Sequence, residues 1–197
     1  MEELVEIFKS KDGYCRMLEL KEKKISTRSI AMAVKSGLLE KIKPGLYKLV
    51  DFNQDENSSF IDIQKSIKKA VVCLLSAASY YDLTTFEPPV NQIAVPNNYS
   101  RVKLIYPPVK IFYFSQKYYE SGISKIKTSS GEFNIYCKEK TIADMFRYSN
   151  KIGEDVVIET LKNYLKDVKN RNLSSLFEFG KLCKVDEKME LIVKALL

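Results

Sequence analysis

The sequence predicts an α+β protein: an N-terminal winged helix-turn-helix, then a larger domain with a mainly antiparallel sheet and a run of C-terminal helices. Three observations lead there. Residues 23–49, KKISTRSIAMAVKSGLLEKIKPGLYKL, read as a capped short helix followed by a tight hairpin. Between residues 91 and 136, short runs rich in Val, Ile, Phe and Tyr alternate with turn residues, the pattern of strands. From Lys138 onward the apolar residues recur at helical spacing.

Taken in order, Glu2 to Lys9 is an amphipathic helix with Leu4, Val5 and Phe8 inward, and its acidic first turn complements the helix dipole. Asp12-Gly13 ends it. Tyr14 and Cys15 form a brief extended segment, and Arg16 to Lys24 a second helix packing Met17, Leu18 and Leu20 inward. Lys24-Ile25-Ser26 is the turn into a third helix. Ser26 caps it, because its hydroxyl accepts an orphan N–H of the first turn. Ile30, Ala33, Val34 and Gly37 make one apolar stripe, while Arg28, Met32 and Lys35 share the opposite face with Ser26, Thr27 and Ser29 near its start. Gly37 supplies the left-handed stop. Leu38–Ile42 and Leu46–Leu49 are strands joined through Lys43-Pro44-Gly45, where Pro44 presets φ and Gly45 accepts a positive one.

A small-faced basic helix followed by a basic hairpin suits DNA: the helix in the major groove, the hairpin along the backbone or in the neighbouring minor groove. The charge agrees. Residues 21–43 set Lys21, Lys23, Lys24, Arg28, Lys35, Lys41 and Lys43 against Glu22 and Glu40 alone. The expected interface is Ser26, Thr27, Arg28, Ser29, Met32 and Lys35 from the helix, with Lys41, Lys43, Tyr47 and Lys48 from the wing. Arg28 and Lys35 would reach base edges or phosphates, and the wing lysines would neutralise phosphates.

The first domain is placed at residues 1–50. The polar stretch DFNQDENSS at 51–59 reads as a linker. Residues 60–197 form the second domain. In it, residues 60–69 are helical in pattern, 70–75 are a buried strand or helix, and Ser76 caps a helix over 77–83. Strands are expected at 91–95, 102–105, 110–114, 124–127 and 132–136, followed by four helices.

Composition narrows the function. The 197 residues carry a net charge of +7, which supports an acidic partner. No apolar run approaches the roughly 18 residues a membrane span needs, and the start lacks the hydrophobic core of a secretion signal, so a cytoplasmic protein is expected. Cys15, Cys73, Cys137 and Cys183 are widely spaced and read as free thiols in a reducing compartment. There is no histidine, which removes the commonest general base and zinc ligand. No glycine-rich phosphate loop exists either. No catalytic residue, metal or cofactor is therefore expected. In KEKTIADMFRYSNKIGEDV, Asp144 and Arg147 stand at i and i+3 and read as an ion pair.

A second basic face is suggested by residues 101–128. Arg101, Lys103, Lys110, Lys117, Lys125 and Lys127 meet only Glu120, interleaved with Tyr106, Phe112, Tyr113, Phe114, Tyr118 and Tyr119. Such interleaving makes a platform for single-stranded RNA. Alternatively, the rings are sheet core and the lysines a solvated edge.

Three stretches resemble the AbiEi antitoxins of type IV toxin–antitoxin systems, which act in abortive infection against phage. They are SGLLEKIKPGLYKL, VVCLLSAASYYDLTTFEPPVNQIAVP and KEKTIADMFRYSNKIGEDVVIETLKNYL, in family order along most of the chain. The helix here is richer in lysine than the family's usual arginine-bearing one. The resemblance implies that the winged helix binds inverted repeats in promoter DNA and represses its own operon. It also implies that the C-terminal domain opposes a nucleotidyltransferase-like toxin, AbiEii, without a stable complex.

Overall fold

The computed structural model describes residues 2–52, 56–100, 104, 106–128 and 130–197. Among these the protein is α+β, with eleven helices and two sheets. Its chain divides into two compact units. The first is Met1–Lys68 with Ser100–Val109 and Lys127–Phe133; the second is Lys69–Tyr99, Lys110–Ile126 and Asn134–Leu197. The division thus falls at 68/69, beyond the expected linker at 51–59, and two later segments return to the first unit.

The first unit runs α1 (Glu2–Lys9), β1 (Tyr14–Arg16), α2 (Met17–Glu22), α3 (Thr27–Lys35), β2 (Leu39–Lys43), β3 (Leu46–Leu49) and α4 (Ser58–Ser66). Its sheet is antiparallel in the order β1-β3-β2. Leu4, Phe8, Cys15, Leu20, Ile30, Ala33, Leu39, Tyr47 and Leu49 form its core. The apolar spacing of α1 and α3 is therefore what seats them. Leu18, expected inward, is instead 72% exposed, because it stands two residues from buried Leu20 and so on the opposite side of α2. Gly37 and Gly45 adopt φ of +76° and +79°. An added Cβ at either meets open space, so backbone conformation alone requires glycine there.

The second unit contains β4 (Val71–Val72), α5 (Leu74–Tyr80), β5 (Asn91–Pro96), β6 (Val109–Phe114), α6 (Gln116–Glu120), β7 (Ile123–Thr128), β8 (Gly131–Tyr136), α7 (Lys138–Arg147), α8 (Ser149–Ile152), α9 (Glu154–Lys166), α10 (Leu173–Cys183) and α11 (Asp186–Leu196). Val109 and the segment 127–133 within these strands belong to the first unit. The sheet order is β6-β5-β4-β8-β7. It is mixed, since β4 runs antiparallel to β5 but parallel to β8. A two-valine strand with both residues buried suits that central position. The strand expected at 102–105 lies outside the described residues apart from Leu104, which is not in a strand.

Ser76 does not cap α5. The helix begins two residues earlier, at Leu74. Its first turn is satisfied from β5: the Leu75 N–H donates to Gln92 Oε1 at 3.1 Å, and Ser76 Oγ accepts the Gln92 N–H at 2.8 Å. Helix α7 is buried around almost its whole circumference, Lys140 and Asp144 included. These two pair at i and i+4, so Asp144 is not the partner of Arg147. The Lys140 ammonium also sits 4.6 Å from the Tyr136 ring centre and 5.2 Å from that of Phe114. The Cys183 thiol donates to Asp144 Oδ1 at 3.3 Å. Burial pushes the Asp144 carboxyl up, while the adjacent Lys140 ammonium pulls it down; the burial effect is the larger.

All four cysteines are free. Burial raises the Cys15 and Cys137 thiols to about 11 and Cys183 to about 12, and it raises Cys73 as well. A thiolate-selective reagent at pH 8 should therefore label the native chain very slowly and label all four thiols in denaturant. Rapid stoichiometric labelling of the native chain would contradict this packing.

Candidate nucleic-acid interface

Helix α3 is fixed at its start by Ser26, whose hydroxyl accepts the Ser29 N–H at 3.0 Å and lies 2.8 Å from the Ser29 hydroxyl. Ile30 and Ala33 bury its inner face. Its outer face presents Thr27, Arg28, Met32 and Lys35, all exposed, and Met32 is 62% exposed despite being apolar. Among the described residues no carboxylate lies within ion-pair distance of Arg28, Lys35 or Lys41. Lys41 is exposed on β2.

The rest of the expected wing surface is turned inward. Tyr47 is 7% exposed and belongs to the core. Lys43 is half-buried and donates to the Ser66 carbonyl at 2.5 Å; burial lowers its ammonium, with Arg16 adding repulsion. Lys48 is buried. It faces Tyr14 across the β1–β3 ladder, and Asp62 of α4 holds both. The Tyr14 hydroxyl donates to Asp62 Oδ1 at 2.5 Å, and the Lys48 ammonium lies 3.1 Å from each carboxylate oxygen. Desolvation raises the Asp62 carboxyl, opposed by these two donors. Lys48 and Tyr47, expected on the DNA-facing surface, are instead buried residues of the hairpin.

The second basic face does not form as one surface either. Arg101 and Lys103 lie outside the described residues. Lys110 on β6 and Lys125 and Lys127 on β7 are exposed, but β6 and β7 are opposite edges of the sheet, with three strands between them. Lys117 is exposed on α6, and Phe114 is core. The sequence reading also missed Arg147 and Lys151, which the fold brings beside the rings of Tyr118 and Tyr148. Spacing along the chain carries no signal for that meeting.

Lys140 and Asp144, the most strongly desolvated charged pair described, are sealed from solvent. Glu139 accepts the Tyr164 hydroxyl at 2.7 Å. Among the described residues no three Cys, Asp or Glu are placed to hold a metal ion, and no helix is long and apolar enough to cross a membrane. No protein-family model matches the chain, and no curated protein matches it significantly.

Removing the carboxylate of Asp62 leaves an uncompensated buried ammonium. Asp62→Ala should cost about 3–5 kcal/mol in a urea titration. The double variant Lys48→Met with Asp62→Leu, which removes both charges, should recover most of that loss. Equal destabilisation by both variants would show that the charges are not the source.

Proposed function

We propose that the first unit is a winged helix-turn-helix that binds duplex promoter DNA through α3. The observation that carries this reading is the outer face of α3: exposed Thr27, Arg28, Met32 and Lys35 on a helix whose inner face and N-cap are locked. The element order α1-β1-α2-α3-β2-β3 and the sheet order β1-β3-β2 also support it. Arg28 serves as the guanine-reading side chain, Met32 as an apolar contact for thymine methyl groups, and Lys35 as a base or phosphate contact. Lys41 neutralises a phosphate from the hairpin.

On the resemblance to AbiEi antitoxins, we further propose that the chain represses its own operon at inverted repeats. On the same ground, the second unit opposes a nucleotidyltransferase-like toxin without a stable complex. The mixture of a DNA-reading face in one unit and a separate α+β unit is what such a division of labour requires.

A gel-shift titration on the upstream promoter tests the DNA reading. Arg28→Ala and Lys35→Ala should each weaken binding by about 1–3 kcal/mol, and Lys41→Ala should reduce the salt slope by about 1. All three sites are exposed, so the variants should melt with the wild type. Unchanged affinity in both helix variants would remove α3 from the interface. Rescue of cells from the toxin by the Arg28→Ala/Lys35→Ala double variant would separate the antitoxin role from DNA binding; loss of rescue would join them.

A further inference from the structure

An unbroken chain of cations and rings runs across part of the second unit. Lys110 Nζ lies 5.5 Å from the Phe112 ring centre on β6. Phe112 meets Tyr148 edge-on at 5.5 Å, with the rings 79° apart. Tyr148 ends α7, and two cations approach its ring at 5.7 Å: Arg147 from α7 and Lys151 from α8. The Arg147 guanidinium also stacks over Tyr118 of α6 at 4.1 Å. Lys110, Arg147 and Lys151 are all exposed, and Tyr118 and Tyr148 are half-buried. Among the described residues none of the three cations has a carboxylate within ion-pair distance. Asp144, one turn before Arg147 and Tyr148, is wholly buried on Lys140.

We propose that this ladder is a binding face for single-stranded nucleic acid. Three exposed cations, none in an ion pair among the described residues and linked ring by ring at 4.1–5.7 Å, are complementary to a backbone that carries one negative charge per nucleotide. The rings decide between anionic partners. An acidic peptide offers charge but no flat faces. A duplex offers phosphates but keeps its base faces inside the stack. A single strand offers both, and its bases stack on tyrosine rings and guanidinium planes. Arg147 is the central residue: its charge meets phosphate, and its plane, held by Tyr118, meets a base.

The face is distinct from the outer surface of α3 and does not depend on that surface binding DNA. It also differs from the basic stretch of residues 101–128. Of that stretch only Lys110, Phe112 and Tyr118 take part, and Arg147 and Lys151 come from later helices.

The test is fluorescence anisotropy of the full chain with labelled oligouridylate and oligothymidylate of about 12 nucleotides, within the 4–16 nucleotide range of known single-strand sites. Arg147→Ala should weaken binding about tenfold. Lys151→Ala should weaken it less and lower the salt slope. Arg147→Lys, which keeps the charge and loses the plane, should recover only part of the loss. Similar binding of the two oligonucleotides, or preference for one sugar, both fit the proposal, and the preference would identify the source. The proposal is overturned by unchanged single-strand affinity in Arg147→Ala and Lys151→Ala. It is equally overturned if the variants lose a random-sequence duplex as strongly as the single strand, or if polyglutamate competes as well as oligouridylate at equal charge.

Discussion

A lysine withdrawn from water needs a carboxylate beside it, and among the described residues two are withdrawn. In the first unit Lys48 is held by Asp62, with the Tyr14 hydroxyl on the same carboxylate. In the second, Lys140 is held by Asp144 between the rings of Tyr136 and Phe114. Desolvation of each ion is offset only while its partner stays in place. The Asp62 cluster therefore fixes α4 against the β1–β3 ladder and sets the orientation of the hairpin. It also determines which lysines remain for a ligand. Lys48 is consumed internally, Lys43 is half-consumed by the Ser66 carbonyl, and Lys41 is exposed with no ion pair among the described residues.

The consequence, for the proposed DNA reading, is an interface concentrated on one helix. Charge along residues 21–48 suggests a broad basic surface, but the folded unit divides it by burial. The outer face of α3 keeps Arg28 and Lys35 exposed, without ion pairs among the described residues, and between them it exposes Met32, which the core does not use. The hairpin contributes shape and one clear cation rather than a row of them. A similar division governs the second unit, where Asp144 is spent on Lys140 and Arg147 is released to stack on Tyr118.

Local features were readable from sequence because their causes are local. The Ser26 cap, the glycine stop at Gly37 and the Pro44-Gly45 turn each depend on a few adjacent residues, and each forms as expected. The apolar spacing of α1, α3 and α9 likewise picked out buried faces. What spacing could not show depends on distant partners. Lys48 reads as a wing cation until Asp62, on another helix, is placed beside it. The start of α5 moves to Leu74 because Gln92 of a later strand satisfies its first turn. Leu18 turns outward because it lies two residues from Leu20, on the opposite side of α2, a local geometry that the reading overlooked. The basic stretch of residues 101–128 looked continuous, yet sheet order sends its strands to opposite edges.

The central claim is that α3 enters the major groove with Arg28 on guanine. Dimethyl sulfate protection of guanine N7 on the upstream promoter tests it most directly, because N7 lies in that groove. The wild-type chain should protect guanines, with protection at one of them lost selectively in Arg28→Ala at concentrations that still saturate the DNA. Saturated binding with no major-groove guanine protected, or the same protection pattern in Arg28→Ala, would contradict it.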